Sequence, residues 1–171
     1  LTANKSPGGV TISSGAQSIH GILDLDQGTF TSGGLVTLIS DATSTGQMDN
    51  TNGATFSGDL TVQRRVAKSS QTFSSITSPV TGTTLATWQA NGVLFSGFPT
   101  SDFPSFPFVN CFEYDEPSHG ADKDDGWDEA NGMTDETGPD NNYRAHYVYM
   151  DATTFNLSVT GTPISGAVTV L

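Results

Sequence analysis

Short apolar segments, each behind a glycine, recur through the first part of the chain. Val10, Leu23 and Val36 each stand two positions after a glycine and two before another apolar residue, and they are 13 residues apart. Alternation with a period of two predicts strands, and a fixed period predicts stacked units. We therefore expect a solenoid-like stack of short strands over residues 1–48, with an ordinary meander as the alternative.

The remaining residues, 49–171, continue the alternating pattern between turn signals. Apolar residues alternate in FSGDLTVQRRV, FVNCFEY, YRAHYVYM and FNLSVTG, while GFPTSDFPSFPF is too rich in proline for a helix or a central strand. No segment has the spacing of an amphipathic helix. The prediction is an all-β protein, in which a short N-terminal solenoid-like set of stacked strands precedes a jelly-roll-like β-sandwich.

Net charge narrows the possible partners. The formal charge is −12 and the pI about 4.2, so nucleic acid and anionic membranes are repelled. The sequence contains no run of 18 apolar residues, so it predicts no segment that inserts into a membrane. We expect partners among cations, neutral sugars and protein surfaces.

Cys111 is the single cysteine, so no intrachain disulfide forms. It stands in FVNCFEY and is expected to be a small buried side chain. A catalytic thiol would need a basic partner from His20, His119 or His146.

Carboxylates are concentrated in the loop predicted over residues 113–142. Eleven of the chain's 18 acidic residues fall between Glu113 and Asp140, with Lys123 as the one base. Calcium prefers such oxygen ligands on flexible loops, and a solvated acidic loop is the alternative. A glycosidase would need a carboxyl pair held across a cleft, and nothing in the sequence singles one out. The expected calcium ligands are Asp115, Asp122, Asp124 and Asp128, with Glu116 and Asp125 in reserve.

Aromatic residues suggest a second kind of site. Exposed indoles can stack on sugar rings, and Trp88 and Trp127 are the candidates for such a platform. Several phenylalanines are further candidates: Phe95, Phe98, Phe103, Phe106 and Phe108. The alternative is that these side chains form the core.

The order of motifs resembles a known class of modules. LDLDQGTFTSGG is followed by FSGDLTVQRRV, ITSPVTG, TWQANG, FEYDE, DDGW and LSVTGTPISGAVTVL. This series is similar to a β-rich module of large secreted and cell-surface proteins of Bacteroidota, exported by the type IX system. The resemblance implies an extracellular, cell-surface location and an adhesive or fibre role. DETGPDNNYRAHY departs from the family's Gly-x-Gly-Tyr turn, and the family's C-terminal sorting domain is absent from this stretch.

The resulting functional prediction is a non-enzymatic structural or adhesive module, a segment or subunit of a surface fibre, filament or large surface protein. We expect it to pair with copies of itself or with flanking domains by strand addition. A chain that begins at Leu1 and ends in an apolar pattern is interpreted as a piece of something larger. The alternative function is a carbohydrate-binding module with a structural calcium ion.

Overall fold

The computed structural model describes residues 1–49, 53–114, 122, 125–137, 145–151 and 153–163. Strands dominate these residues, which confirms the predicted all-β class. The elements are β1 (Thr2–Thr11), β2 (Gln17–Ile19), β3 (Ile22–Thr31), β4 (Val36–Leu38), β5 (Gln47–Met48), β6 (Thr55–Ser57), β7 (Leu60–Ala67), β8 (Thr72–Ile76), α1 (Leu85–Gln89), β9 (Cys111–Tyr114), β10 (Trp127–Glu129), β11 (His146–Met150) and β12 (Thr154–Gly161). In the described part of the chain, no helix has the length and apolar character needed to cross a membrane.

The chain divides into two compact units. The first comprises Leu1–Val66, Pro79–Gly82 and the described part of Asn156–Thr169, and the second comprises Ala67–Ser78 and Thr83–Phe155. The first unit continues past residue 48, where the repeat segment was expected to end.

Parallel pairing builds the first unit. Strand β3 pairs with β1, β5 and β6, while β4 pairs with β2 and β7, and all of these pairs are parallel. Among the described strands of this unit, consecutive strands therefore do not pair, and one or two other strands lie along the chain between the members of each pair. Phe30 lies opposite Phe56 in this register, and their rings stack with centroids 5.7 Å apart.

The observed register differs from the predicted 13-residue register. Val10 lies opposite Phe30, and Leu23 lies opposite Met48. Val36 lies opposite Gln17. The physical reason is that another strand and its turns separate β1 from β3 along the chain, so the offset between Val10 and Phe30 exceeds 13 residues, while Val36 belongs to the other sheet.

An antiparallel sheet organises the second unit, with strand order β10-β9-β11-β8. One face of this sheet buries Cys111, His146, Val148 and Met150. Helix α1, which the sequence did not predict, places the fully buried Trp88 edge-on to His146, with ring centroids 5.5 Å apart. This packing forms the core of the unit.

Candidate binding site

The opposite face of the same sheet is aromatic. Strand alternation sends neighbouring side chains to opposite faces, so the aromatic residues of β8, β9, β10 and β11 share one face. All of them are partly or well exposed to solvent. We call this surface the aromatic face, and its members are Phe73, Phe112, Tyr114, Trp127, Tyr147 and Tyr149.

Cross-strand register brings these rings into contact. Trp127 lies opposite Tyr114, and their centroids are 5.1 Å apart. Trp127 also lies 5.3 Å from Tyr147, which stacks on Phe73 at 4.5 Å with an interplanar angle of 9°. Phe73 is in turn 5.1 Å from its cross-strand partner Tyr149. The rings form a continuous row across the four strands, stabilised by aromatic cross-strand pairs.

A cleft continues the aromatic face at the end of β11. Phe108 packs on Tyr149 with centroids 5.7 Å apart, and both residues line the cleft. The cleft has a volume of about 490 Å³, within the range of small-molecule sites. Phe103 and Phe106 also line it, and each is 55% exposed. Exposed apolar surfaces of this kind are typical of interaction sites and ligand grooves.

Backbone and side-chain hydrogen bonds hold the cleft wall. The Phe95 N–H donates to Asp102 Oδ2 at 2.8 Å, and the Phe103 N–H donates to the Phe95 carbonyl at 3.2 Å. Gly97 has a φ of +86°, and its Cα approaches the backbone at Phe108 so closely that a Cβ would clash. The proline-rich loop is therefore fixed by defined contacts.

Asn110 anchors this wall to β11. Its Oδ1 accepts from the Ser96 N–H at 2.9 Å, and its Nδ2 donates to the carbonyls of Leu94 and Tyr149 at 2.8 and 3.2 Å. Because Asn110 is buried, these three bonds take the place of the hydrogen bonds that its side-chain amide would make to water. The arrangement places the cleft beside Tyr149 of the aromatic face.

The two predicted sugar-stacking tryptophans have different positions. Trp88 has no exposed surface, so the expectation that it presents a face to a sugar is wrong. Trp127 is 39% exposed and belongs to the aromatic face. Sequence reasoning missed the other members of that face, although the alternation in FEY and HYVYM was the available signal.

The predicted phenylalanine candidates also divide between core and surface. Phe95 and Phe98 are buried and pack edge-to-face with centroids 5.9 Å apart. Phe103, Phe106 and Phe108 are exposed at the cleft. The core interpretation therefore holds for Phe95 and Phe98, and sugar stacking by the three exposed phenylalanines stays a prediction.

Three of the six predicted calcium ligands, Asp115, Glu116 and Asp124, lie outside the described residues. Asp122 and Asp125 form a turn, in which the Asp125 N–H donates to the Asp122 carbonyl at 3.1 Å and the Asp122 N–H donates to Asp125 Oδ2 at 3.2 Å. Asp128 is exposed on β10. The described residues contain no group of three or more His, Cys, Asp or Glu side chains placed to hold a metal, and calcium stays a prediction.

Buried titratable groups lie beneath the sheet. Burial raises the pKa of the Cys111 thiol, and the carboxylates of Asp135 and Glu113 raise it further. Burial lowers the pKa of His146 against the opposing influence of Glu113 and Asp135. Neither ring nitrogen of His146 has a hydrogen-bond partner in the described structure. A neutral thiol and a neutral imidazole, both enclosed, do not form an activated nucleophile.

Comparison with known proteins adds no relative. The chain matches no protein-family model, no curated protein and no solved structure.

Proposed function

We propose that this protein is a non-catalytic extracellular adhesive module whose second unit binds a glycan on the aromatic face. The observation that carries the proposal is the solvent-accessible row of contacting rings across four strands, which leads into an aromatic cleft. Contiguous apolar surface that solvent can reach is typical of binding sites.

Ring-shaped, amphipathic ligands suit this surface. The faces of aromatic rings carry negative partial charge, and the C–H groups on one face of a sugar ring are weakly positive, so the two stack. Sugar hydroxyls need polar partners at the edge of the stack, and Gln71 and Asp151 stand at the cleft lining beside Tyr149. A few polar groups around an apolar surface are typical of ligand sites.

The absence of catalysis is part of the proposal. It is supported by the enclosed Cys111 and His146, whose altered pKa values favour the neutral thiol and the neutral imidazole. The surface location comes from the family resemblance. A solenoid-like first unit and a jelly-roll-like second unit are the finer architecture that we propose within the all-β class.

A second candidate role is assembly by strand addition, in a fibre or with flanking domains. It is favoured by the position of β1 at the end of its parallel sheet, where one of its backbone edges has no neighbouring strand among those described. Such edges pair with other chains unless they are covered. If β1 pairs with another copy of this chain, hydrogen exchange of its amides should slow as protein concentration rises, and concentration-independent exchange would refute pairing between copies.

Affinity electrophoresis tests the principal role. Gels would contain α- and β-linked glucans, mannan, galactan or chitin-type oligosaccharides on a carrier. We expect retardation by at least one of these glycans, lost in Trp127→Ala and Tyr147→Ala and kept in Ile22→Ala, which removes a more exposed apolar side chain from the first unit. Migration unchanged by every glycan, or retardation that survives both aromatic substitutions, would contradict the proposal.

A further inference from the structure

The second unit is strongly unbalanced in charge. Its described residues include Lys68 as the one lysine or arginine. Against it stand nine carboxylates, those of Asp102, Glu113, Asp122, Asp125, Asp128, Glu129, Asp135, Glu136 and Asp151. A cationic ligand is therefore attracted to this unit and an anionic one repelled.

Lys68 does not offset this charge at the aromatic face. Its Nζ donates to the Thr72 carbonyl at 2.8 Å and to Ser74 Oγ at 2.6 Å. Ser74 lies opposite Val148, whose side chain is on the buried face of the sheet. The lining of the cleft contains no lysine or arginine among the described residues.

Two carboxylates lie at the two ends of the ring row. Asp151 lines the cleft beside Tyr149, and its Oδ1 accepts from Gln71 Nε2 at 2.7 Å. Asp151 is exposed, so its carboxylate is accessible to a ligand. Glu129 follows Trp127 by two positions on β10 and is exposed, so alternation places it on the aromatic face.

We propose that the glycan bound here is one that carries free amino groups, an inference that rests on the proposed glycan-binding function. Binding of a protonated amine is strengthened by cation–π contact with the Trp and Tyr rings and by electrostatic attraction to the carboxylates of Asp151 and Glu129. Neutral sugars have stacking and hydroxyl hydrogen bonds but no ionic attraction, and uronic or sulfated glycans are repelled. Charge complementarity thus selects among sugars that fit the rings equally well.

A matched pair of ligands tests this selection. The probes are a β-linked glucosamine hexamer and its fully N-acetylated counterpart, which share a backbone and differ by an acetyl group and, in mildly acidic buffer that protonates the amines, by one positive charge per ring. By calorimetry at low salt, we expect the free amine form to bind about fivefold tighter or more, from exposed cation–π and ion-pair contributions. The ratio should shrink in high salt because exposed charges are screened.

Substitutions locate the selecting charge. Asp151→Asn keeps the size of the side chain and should lower the preference for the amine form severalfold, whereas Asp128→Asn should retain it, because Asp128 alternates with Trp127 and lies on the other face. Equal affinity for the two hexamers, with both lost in Trp127→Ala, would overturn this inference and leave glycan binding intact. Failure of the wild type to bind either hexamer or any glycan of the panel would overturn both.

Discussion

Replacing Asn110 with alanine should destabilise the second unit by about 3 to 5 kcal/mol. The substitution removes three hydrogen bonds, one from the Ser96 N–H and two to the carbonyls of Leu94 and Tyr149. A hydrogen bond contributes about 1 kcal/mol net, and a buried group left without its partner costs about 1 to 3 kcal/mol. Ser96 is itself buried, so its N–H regains little from water.

Urea denaturation measures this loss of stability. The fluorescence of the buried Trp88 reports on it, because Trp88 lies in the same unit as Asn110. With a slope of about 2 kcal/mol per molar urea, the midpoint should fall by about 1.5 to 2.5 M while the slope stays the same. Asn131→Ala is the control, since Asn131 is exposed in the same unit, and it should change stability by no more than about 0.5 kcal/mol.

The Asn110→Asp variant separates the lost donors from the lost volume. It keeps an acceptor for the Ser96 N–H but directs a carboxylate at the carbonyls of Leu94 and Tyr149. The pKa of the new carboxyl should be raised in the folded state, so the folded state binds more protons and the stability deficit relative to the wild type should shrink as pH falls from 7 to 5. Our reasoning is refuted if the alanine variant lies within 1 kcal/mol of the wild type, or if the aspartate variant shows no such recovery.

Three further predictions concern pH, glycine and calcium. Because burial lowers the pKa of His146 from its ordinary 6.5, the stability of the second unit should stay constant above pH 6.5 and fall as pH drops below it. His146→Phe should flatten the pH dependence of the urea midpoint between about pH 7.5 and 5.5, and an unchanged dependence would contradict this reasoning. Gly97 and Gly92 both have positive φ, but a Cβ at Gly97 would clash with the Phe108 backbone whereas a Cβ at Gly92 would meet open space. Gly92→Ala should therefore destabilise the protein by about 1 to 2 kcal/mol and Gly97→Ala should lower the melting temperature clearly more. Equal effects of the two variants would show that the close approach at Gly97 does not contribute. Millimolar calcium should raise the melting temperature, and Asp122→Asn with Asp124→Asn should abolish the rise, whereas identical curves with calcium and chelator would favour a solvated acidic loop.

Local patterns predicted the strands but not their partners. The alternation in FVNCFEY and YRAHYVYM identified β9 and β11, and the expectation that Cys111 is buried is confirmed. The parallel pairing of the first unit could not be predicted, because similar Gly-led segments fall in both of its sheets. The register of β1 on β3 depends on which strands the turns bring together, and neighbouring residues do not encode that.

The aromatic face was only partly predictable for a related reason. Trp127 was singled out, but Phe73 lies far from Tyr147 in sequence and joins it only through the β8–β11 pairing. The helix that buries Trp88 is five residues long, too short to show a helical period. A side chain's exposure follows from such tertiary placement, so composition alone could not separate Trp88 from Trp127.

The most direct test of glycan binding uses this difference between the two tryptophans. Trp88 is fully buried and Trp127 is 39% exposed, so an added quencher such as acrylamide reports on Trp127. Titration with the glycans of the panel should shift the emission to shorter wavelength and protect it from acrylamide, with a midpoint that equals the calorimetric Kd. Trp127→Phe should abolish the optical change. A glycan that binds by calorimetry and leaves Trp127 fully open to acrylamide would contradict the assignment of the aromatic face as the binding site.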